Sequence, residues 1–199
     1  MTQFLQTRDP IIQDILLNAQ QFERKVYIIE EFDRESIFKV IRAIEKIVEV
    51  DSFDEIKPED AEPIWLMLDS YGGCLHSCFG LISTIRRFQK IGYKFYTVDM
   101  ARSMSASFYV AMTGDKRFAY ELSSLMVHDQ RAFEYGYKTV RDKRVELKEW
   151  EKEWNILIEL VEEYTLITRE QLEWYVERGL DWNMTSQEAI ELGVIDEIL

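Results

Sequence analysis

Two cysteines, two histidines, three prolines and eight glycines are all that the 199 residues hold of those types, and each scarcity excludes something. Cys74 and Cys78, in "GGCLHSC", cannot build a disulfide-rich scaffold. On a helix they share a face while His76 between them points elsewhere. A metal site would need further ligands that the sequence does not supply, so no metal is expected. Few prolines, and no linker-like or repetitive stretch, exclude a disordered chain. Basic residues number 24 against 37 acidic ones, a formal net charge of −13. That balance excludes a function built on phosphate contacts, and nucleic acid is not an expected partner. No apolar run approaches the length of a membrane span, and "MTQFLQTRDP" is not a signal peptide. No membrane partner and a cytoplasmic location are therefore expected.

What is present is a folding composition. Hydrophobic residues make up 47% of the chain and aromatic ones 13%, enough for one good core, and residues 1–199 read as a single domain. "IIQDILLNAQQF" near the N-terminus is compatible with a helix. "RKVYIIE" (24–30) is short, apolar and β-branched, as a buried strand is. In "DRESIFKVIRAIEKIVEV", Asp33 is placed to cap a helix whose apolar face is Ile37, Val40, Ile41, Ile44 and Val48. The acidic "DSFDEIKPEDAEP" then reads as a solvated loop. "IWLML" (64–68) is apolar along its whole length, as expected of a strand covered on both faces. A helix over 75–89, a strand at 93–98 and a helix from about 105 to 113 follow. "KRFAY" and "SLMVH" are short strands. A long charged helix spans roughly 139–165, with another helix in "REQLEWYVERG". The end, "TSQEAIELGVIDEIL", carries a capping box from Thr185 to Glu188 and a last strand. This alternation predicts an α/β fold with a substantially parallel sheet.

Strand-to-helix joints of such sheets are where ligands and catalytic groups collect. In "LMLDSYGGC" a Gly-Gly pair ends a strand, where backbone N–H groups can approach a ligand closely. In "MARSMSAS" a serine sits near a helix start, and the N–H that follows it can face a developing oxyanion. Gly-Gly at a turn is commonly structural, and serine is a common N-cap. One of the two histidines, His128, closes the strand "SLMVH". Serine with a positioned imidazole is the minimal arrangement for acyl transfer. An acid is needed to orient the imidazole. The residues alone choose neither that acid nor one serine among Ser103, Ser105 and Ser107.

"LMLDSYGG", "SMSASFYVAMTG", "KRFA", "LMVH" and "DWNMTSQEAIELGVIDEIL", in that order and at compatible spacings, resemble the ClpP family of serine peptidases, the Clp protease proteolytic subunits. The resemblance runs from about residue 24 to the C-terminus. It implies a ClpP/crotonase-type fold of stacked ββα units with a protruding handle helix, here about residues 129–165, preceded by an N-terminal segment, 1–23. It implies a Ser-His-Asp triad hydrolysing polypeptide substrates without a cofactor. Heptameric rings stacked into a homo-oligomeric tetradecamer, fed by a Clp-type ATPase, are the family default. His128 corresponds to the family's catalytic histidine, and the tail alignment selects Asp181. Gly73 and Ala106 become the two oxyanion N–H donors. An ungapped alignment counted back from His128 lands on Ser103. Anchoring on the helix "SASFYVAMTG" selects Ser105 and moves a two-residue deletion into the turn at Gly114–Lys116. A turn absorbs a deletion, whereas a two-residue shift within a helix rotates every side chain by about 200°. Ser105 is therefore the expected nucleophile, with Ser103 the alternative.

Four positions depart from the family pattern. Tyr71 replaces a proline, which is expected to loosen the oxyanion loop. Arg102 stands near the serine where small residues are usual. "DQRAFEYGYKT" keeps one glycine, Gly136, of a glycine-rich strand that pairs with substrate. Leu180 replaces an arginine that locks ring to ring. Three other readings share the fold: a catalytically silent ring subunit, a processing protease that works without an ATPase, and an acyl-CoA enzyme of the crotonase type. The last would not need Ser105, His128 and Asp181 together.

Overall fold

The computed structural model describes residues 24–131 and 137–199. The helix expected around residues 11–22 lies outside them. The chain opens with β1 (Lys25–Ile28) and α1 (Arg34–Phe53), continues through a short 3-10 turn at Pro58–Asp60 to β2 (Ile64–Ser70), then α2 (Leu75–Gln89) and β3 (Phe95–Met104). A short helix, α3 (Ala106–Ala111), leads to β4 (Lys116–Ala119) and β5 (Ser124–Val127). The long α4 (Val140–Tyr164) and α5 (Arg169–Val176) precede β6 (Trp182–Thr185), α6 (Ser186–Glu191) and β7 (Glu197–Ile198). The strands β1-β2-β3-β4-β7 form a parallel sheet, as the alternation predicts. β5 pairs parallel with the far end of β3, and β6 pairs antiparallel with β5.

Local chemistry explains the elements. Asp33 accepts the Ser36 N–H at 2.7 Å while the Ser36 hydroxyl accepts the Asp33 N–H, satisfying two donors that a helix start leaves orphaned. α1 then buries Ile37, Val40, Ala43, Ile44 and Ile47 against the sheet. Leu66, Leu68, Leu81, Ile85, Phe95 and Phe108 share that core, each 0% exposed. Burial of such side chains contributes about 1.5–3 kcal/mol apiece. The other face of the sheet is closed by its own side chains: Met67, Val98 and Phe118 pack with Trp65, Tyr96 and Met100. The uniform apolarity of "IWLML" thus marks two faces, of which helices among the described residues cover one.

Two expectations are corrected, and one strand is added. The stretch read as a solvated acidic loop begins inside α1, and Asp51 is buried there, paired with Arg24 at 2.7 Å. A part-buried guanidinium needs a counter-charge close by, which a solvated loop would not supply. β3 does not stop at Val98. It continues to Met104 because it exchanges β4 for β5, pairing with β4 up to Asp99 and with β5 from Arg102 onward, while β2 stays beside it as far as Ser70↔Ser103. The β2–β3 register slips where this happens, between Leu68 and Ser70. Finally, residues 182–185 form β6, which the capping box that follows them had overshadowed.

Of the long helix, Leu157, Ile158, Leu160 and Val161 are buried, while residues 140–153 are exposed or half-exposed. Trp154 packs partly against the core. At the other end of the chain, Arg117 of β4 donates to the Tyr164 and Gly193 carbonyls at 2.5 and 2.7 Å and pairs with Asp196. That tie fixes the last strand to the sheet.

Candidate active site

The extra length of β3 carries Ser105 to a joint shared by three strands. Its backbone has φ 53 and ψ −121, a left-handed conformation that costs a non-glycine residue about 1–3 kcal/mol. The bend is held by the Ser105 N–H, which donates to the Met126 carbonyl of β5 at 2.8 Å. Immediately after it, Ala106 begins α3, so its N–H is one of the donors that a helix start leaves without an intrahelical acceptor. The Cys78 thiol, buried on α2, lies 3.2 Å from the Ala106 carbonyl and donates to it. Burial pushes that thiol well above its ordinary range, so it stays protonated and serves as a donor. Ser103 and Ser107, on either side, are fully buried, whereas Ser105 is part-exposed.

The glycine turn abuts this elbow. Gly72 and Gly73 have φ of +90° and +140°. A Cβ on Gly72 would lie 2.5 Å from the Met104 carbonyl oxygen, 2.7 Å from the Ala106 nitrogen and 2.9 Å from the Ser105 Cβ. Only glycine permits that approach. On its outer side the turn is pinned by Phe32, whose N–H donates to the Gly72 carbonyl at 2.7 Å and whose carbonyl accepts the Cys74 N–H at 2.6 Å. Ser70 adds a further tie, its hydroxyl donating to the Glu30 carbonyl and accepting the Gly72 N–H. These bonds leave the Gly73 N–H outside the network of the turn. Phe32 and Ser70 are supports that sequence reasoning missed. Ser70, two residues before a Gly-Gly pair, has the local spacing of a serine turn and was the legible one.

The two departures at this turn meet each other. The Arg102 Nε donates to Asp69 at 2.8 Å, and its guanidinium lies 4.5 Å above the Tyr71 ring. Where a proline was expected to stiffen the loop, a stacked cation and an ion pair brace it instead, and Arg102 is directed to Asp69 and Tyr71.

His128 directly follows β5 and Asp181 directly precedes β6. The antiparallel register runs Ser124↔Thr185, Leu125↔Met184, Met126↔Asn183 and Val127↔Trp182. Continued by one pair it sets His128 opposite Asp181, both on the face that carries Met126 and Asn183. His128 is part-exposed, but its Nδ1 is buried and has no hydrogen-bond partner among the described residues. Asp181 gives an oxygen to Arg131 Nη2, 2.5 Å away. The second histidine, His76, is exposed and lies 3.5 Å from Glu153.

One further carboxyl lies near. Asp99, 1% exposed, sits where β3 changes partners, and neither of its oxygens has a well-formed hydrogen bond. Burial, only partly offset by the hydroxyls of Ser103 and Ser123, pushes it up to about 7.

Fold and site together describe a parallel-sheet α/β protein with a strained serine at a strand-to-helix joint, backed by a glycine turn. Residues 12–199 match the Clp protease family. The chain belongs to that family. It is similar to the ATP-dependent Clp protease proteolytic subunit of Porphyromonas gingivalis, 34% identical over 152 residues, covering 71% of this chain and 63% of that protein's length. It is also similar to the ATP-dependent Clp protease proteolytic subunit 1 of Protochlamydia amoebophila, 26% identical over 176 residues, 88% of this chain and 80% of that protein.

Proposed function

We propose that this chain is a serine endopeptidase in which Ser105 is the nucleophile, His128 its base and Asp181 the acid that orients the base. The observation that carries the reading is the elbow. Ser105 holds a costly backbone conformation at a part-exposed joint, against a glycine turn that no other residue could form. Strain kept where packing over-determines it is a mark of function. His128 takes the Ser105 hydroxyl proton as the oxygen bonds to the scissile carbonyl carbon. The Gly73 and Ala106 N–H groups donate to the oxyanion, and Asp181 holds the imidazole in the tautomer with its proton on Nδ1. Collapse breaks the C–N bond, and the imidazolium gives its proton to the leaving amine. Water, deprotonated in turn by His128, then cleaves the acyl ester and frees Ser105. Every group in this sequence of steps belongs to the protein, so it calls on no metal or organic cofactor.

The proposal extends to assembly. Family membership, and relatives named as subunits of an ATP-dependent protease, support homo-oligomeric rings around a chamber, polypeptide substrates and a Clp-type ATPase partner. Among the described residues no helix is long and apolar enough to cross a membrane, and we place the assembly in the cytoplasm.

A fluorophosphonate probe tests the chemistry. Labelling mapped to Ser105, lost in Ser105→Ala and retained in Ser103→Ala, is the expected result. Loss in Ser103→Ala alone would move the nucleophile two residues back. Native mass spectrometry of the same protein gives the ring size.

A further inference from the structure

The β5–β6 register, continued by one pair, aligns Asp181 with His128, yet its carboxylate is engaged elsewhere. Arg131, three residues beyond His128 on the same loop, donates from Nη2 to Asp181 Oδ1 at 2.5 Å. His128 Nδ1, the atom that an orienting acid would serve, is buried and has no partner among the described residues. One carboxylate thus has two claimants on one loop, and the arginine holds it. Among the described residues, Asp129 and Asn183 do not compete for it. Asp129 accepts the Gln130 N–H, and the Asn183 amide donates to the Asp181 backbone carbonyl rather than to the carboxylate.

We propose that Arg131 is a latch, a positioning residue that keeps Asp181 from His128 and so holds Ser105 unactivated until the ion pair opens. This rests on the triad reading given above. The guanidinium is permanently charged and presents a fork matched to a carboxylate, so it outcompetes a neutral imidazole for Asp181. Without the carboxylate, nothing fixes the proton on Nδ1, and Nε2 is not committed to accept from Ser105. The latch is weak by construction. Its side chains are 67% and 35% exposed, and exposed pairs of this kind bias an equilibrium by up to about fivefold. Salt screens them. A contact of that strength can be released by a substrate, a neighbouring subunit or ionic strength, and it re-forms by itself.

The experiment is the second-order rate of fluorophosphonate labelling at Ser105, measured on the full chain in its native assembly. Wild type, Arg131→Ala and Arg131→Lys are compared across the neutral pH range at low and high salt. Arg131→Ala is expected to label about fivefold faster at low salt. The acidic limb of its rate–pH profile is expected to shift to higher pH, because the imidazolium gains a carboxylate. Wild type accelerates in high salt and Arg131→Ala does not, while Arg131→Lys restores the slow rate. A bystander arginine would leave the pH limb where it is. Labelling of Arg131→Ala at or below the wild-type rate overturns the latch and leaves the triad standing. If Arg131→Ala does not fold, wild type decides: no acceleration by salt overturns the proposal. Absence of Ser105 labelling in both wild type and a folded Arg131→Ala overturns the triad reading, and the latch with it.

Discussion

The two halves of the site are built differently. The half proposed to carry the nucleophile, Ser105 with Gly72 and Gly73, is largely main chain packed on main chain. Its geometry is set by hydrogen bonds from β5, from Phe32 and from Ser70, and by contacts too close for any side chain. The acid–base half lies at the end of the β5–β6 ribbon, part-exposed, and is held by one solvent-facing ion pair. The first half is fixed by main-chain packing, whereas the second, on the latch proposed above, can trade Arg131 for His128 at Asp181. A hydrolase that must not cut indiscriminately is better regulated through the half that can move without unfolding anything.

Substitutions can break that contrast in order of their expected effect. Gly72→Ala attacks the rigid half where backbone lies 2.5 Å from the new Cβ at φ +90°. Neither the Met104 carbonyl nor the Ala106 nitrogen can retreat without displacing the elbow. We expect a loss of about 3 kcal/mol in urea unfolding and a fall of about a hundredfold or more in Ser105 labelling. Gly80→Ala is the control. It lies inside α2 with nothing within 4 Å of a new Cβ, and should stabilise the protein by roughly 0.5–1 kcal/mol.

The next effect is a dependence on pH rather than on a contact. Asp99 ionises at about 7 in the folded chain against an ordinary 3.8. A carboxyl whose folded value is raised contributes stability that is complete below 3.8 and is lost as pH rises through about 7. Wild type should therefore be less stable at about pH 8 than at about pH 5.5, by an amount on the order of 2 kcal/mol. Asp99→Asn should flatten that slope in urea titrations. An unchanged slope would show that Asp99 is already solvated or paired in solution.

Arg102→Ala should have the smallest effect. Its pair with Asp69 is about one-third exposed on both sides, so the cost in stability should stay within about 1 kcal/mol. Ser105 labelling should fall by a few-fold as the glycine turn loses its brace, with Arg102→Lys recovering part of it through the retained charge. A loss as large as that of Gly72→Ala would show that the rigid half depends on side chains after all.

Much of this was legible in the sequence. The boundaries of α2, 75–89, coincide with those observed, because a glycine turn starts the helix and a clear apolar period runs through it. The Asp33 cap and the Thr185 box, both read from the sequence, close as box motifs, and Thr139 and Thr168, which were not singled out, close in the same way. The end of β3 was not readable. "MARSM" is strand because β5, twenty-two residues on, supplies a second partner there, and non-local pairing leaves little trace in a short window. Asp51 looked solvated for a similar reason, since its partner Arg24 is distant in sequence. The pair formed by Arg131 and Asp181 was invisible too. It spans fifty residues, and neither residue type is rare enough to single itself out.

The oxyanion donors proposed at Gly73 and Ala106 are both main-chain atoms. No codon change can delete an N–H except by installing proline, so a mutational scan of this protein will report those two positions as tolerant or intolerant for reasons of shape alone. The chemistry at the oxyanion will appear in such a scan only indirectly, as a ban on side chains at Gly72. Tyr71 and Arg102, which line the neighbouring cleft with Asp69 and Glu31, are free of that ban. They are the positions at which directed evolution can reshape the neighbouring cleft, with Arg102 exchanged only at the cost of the brace it gives the glycine turn.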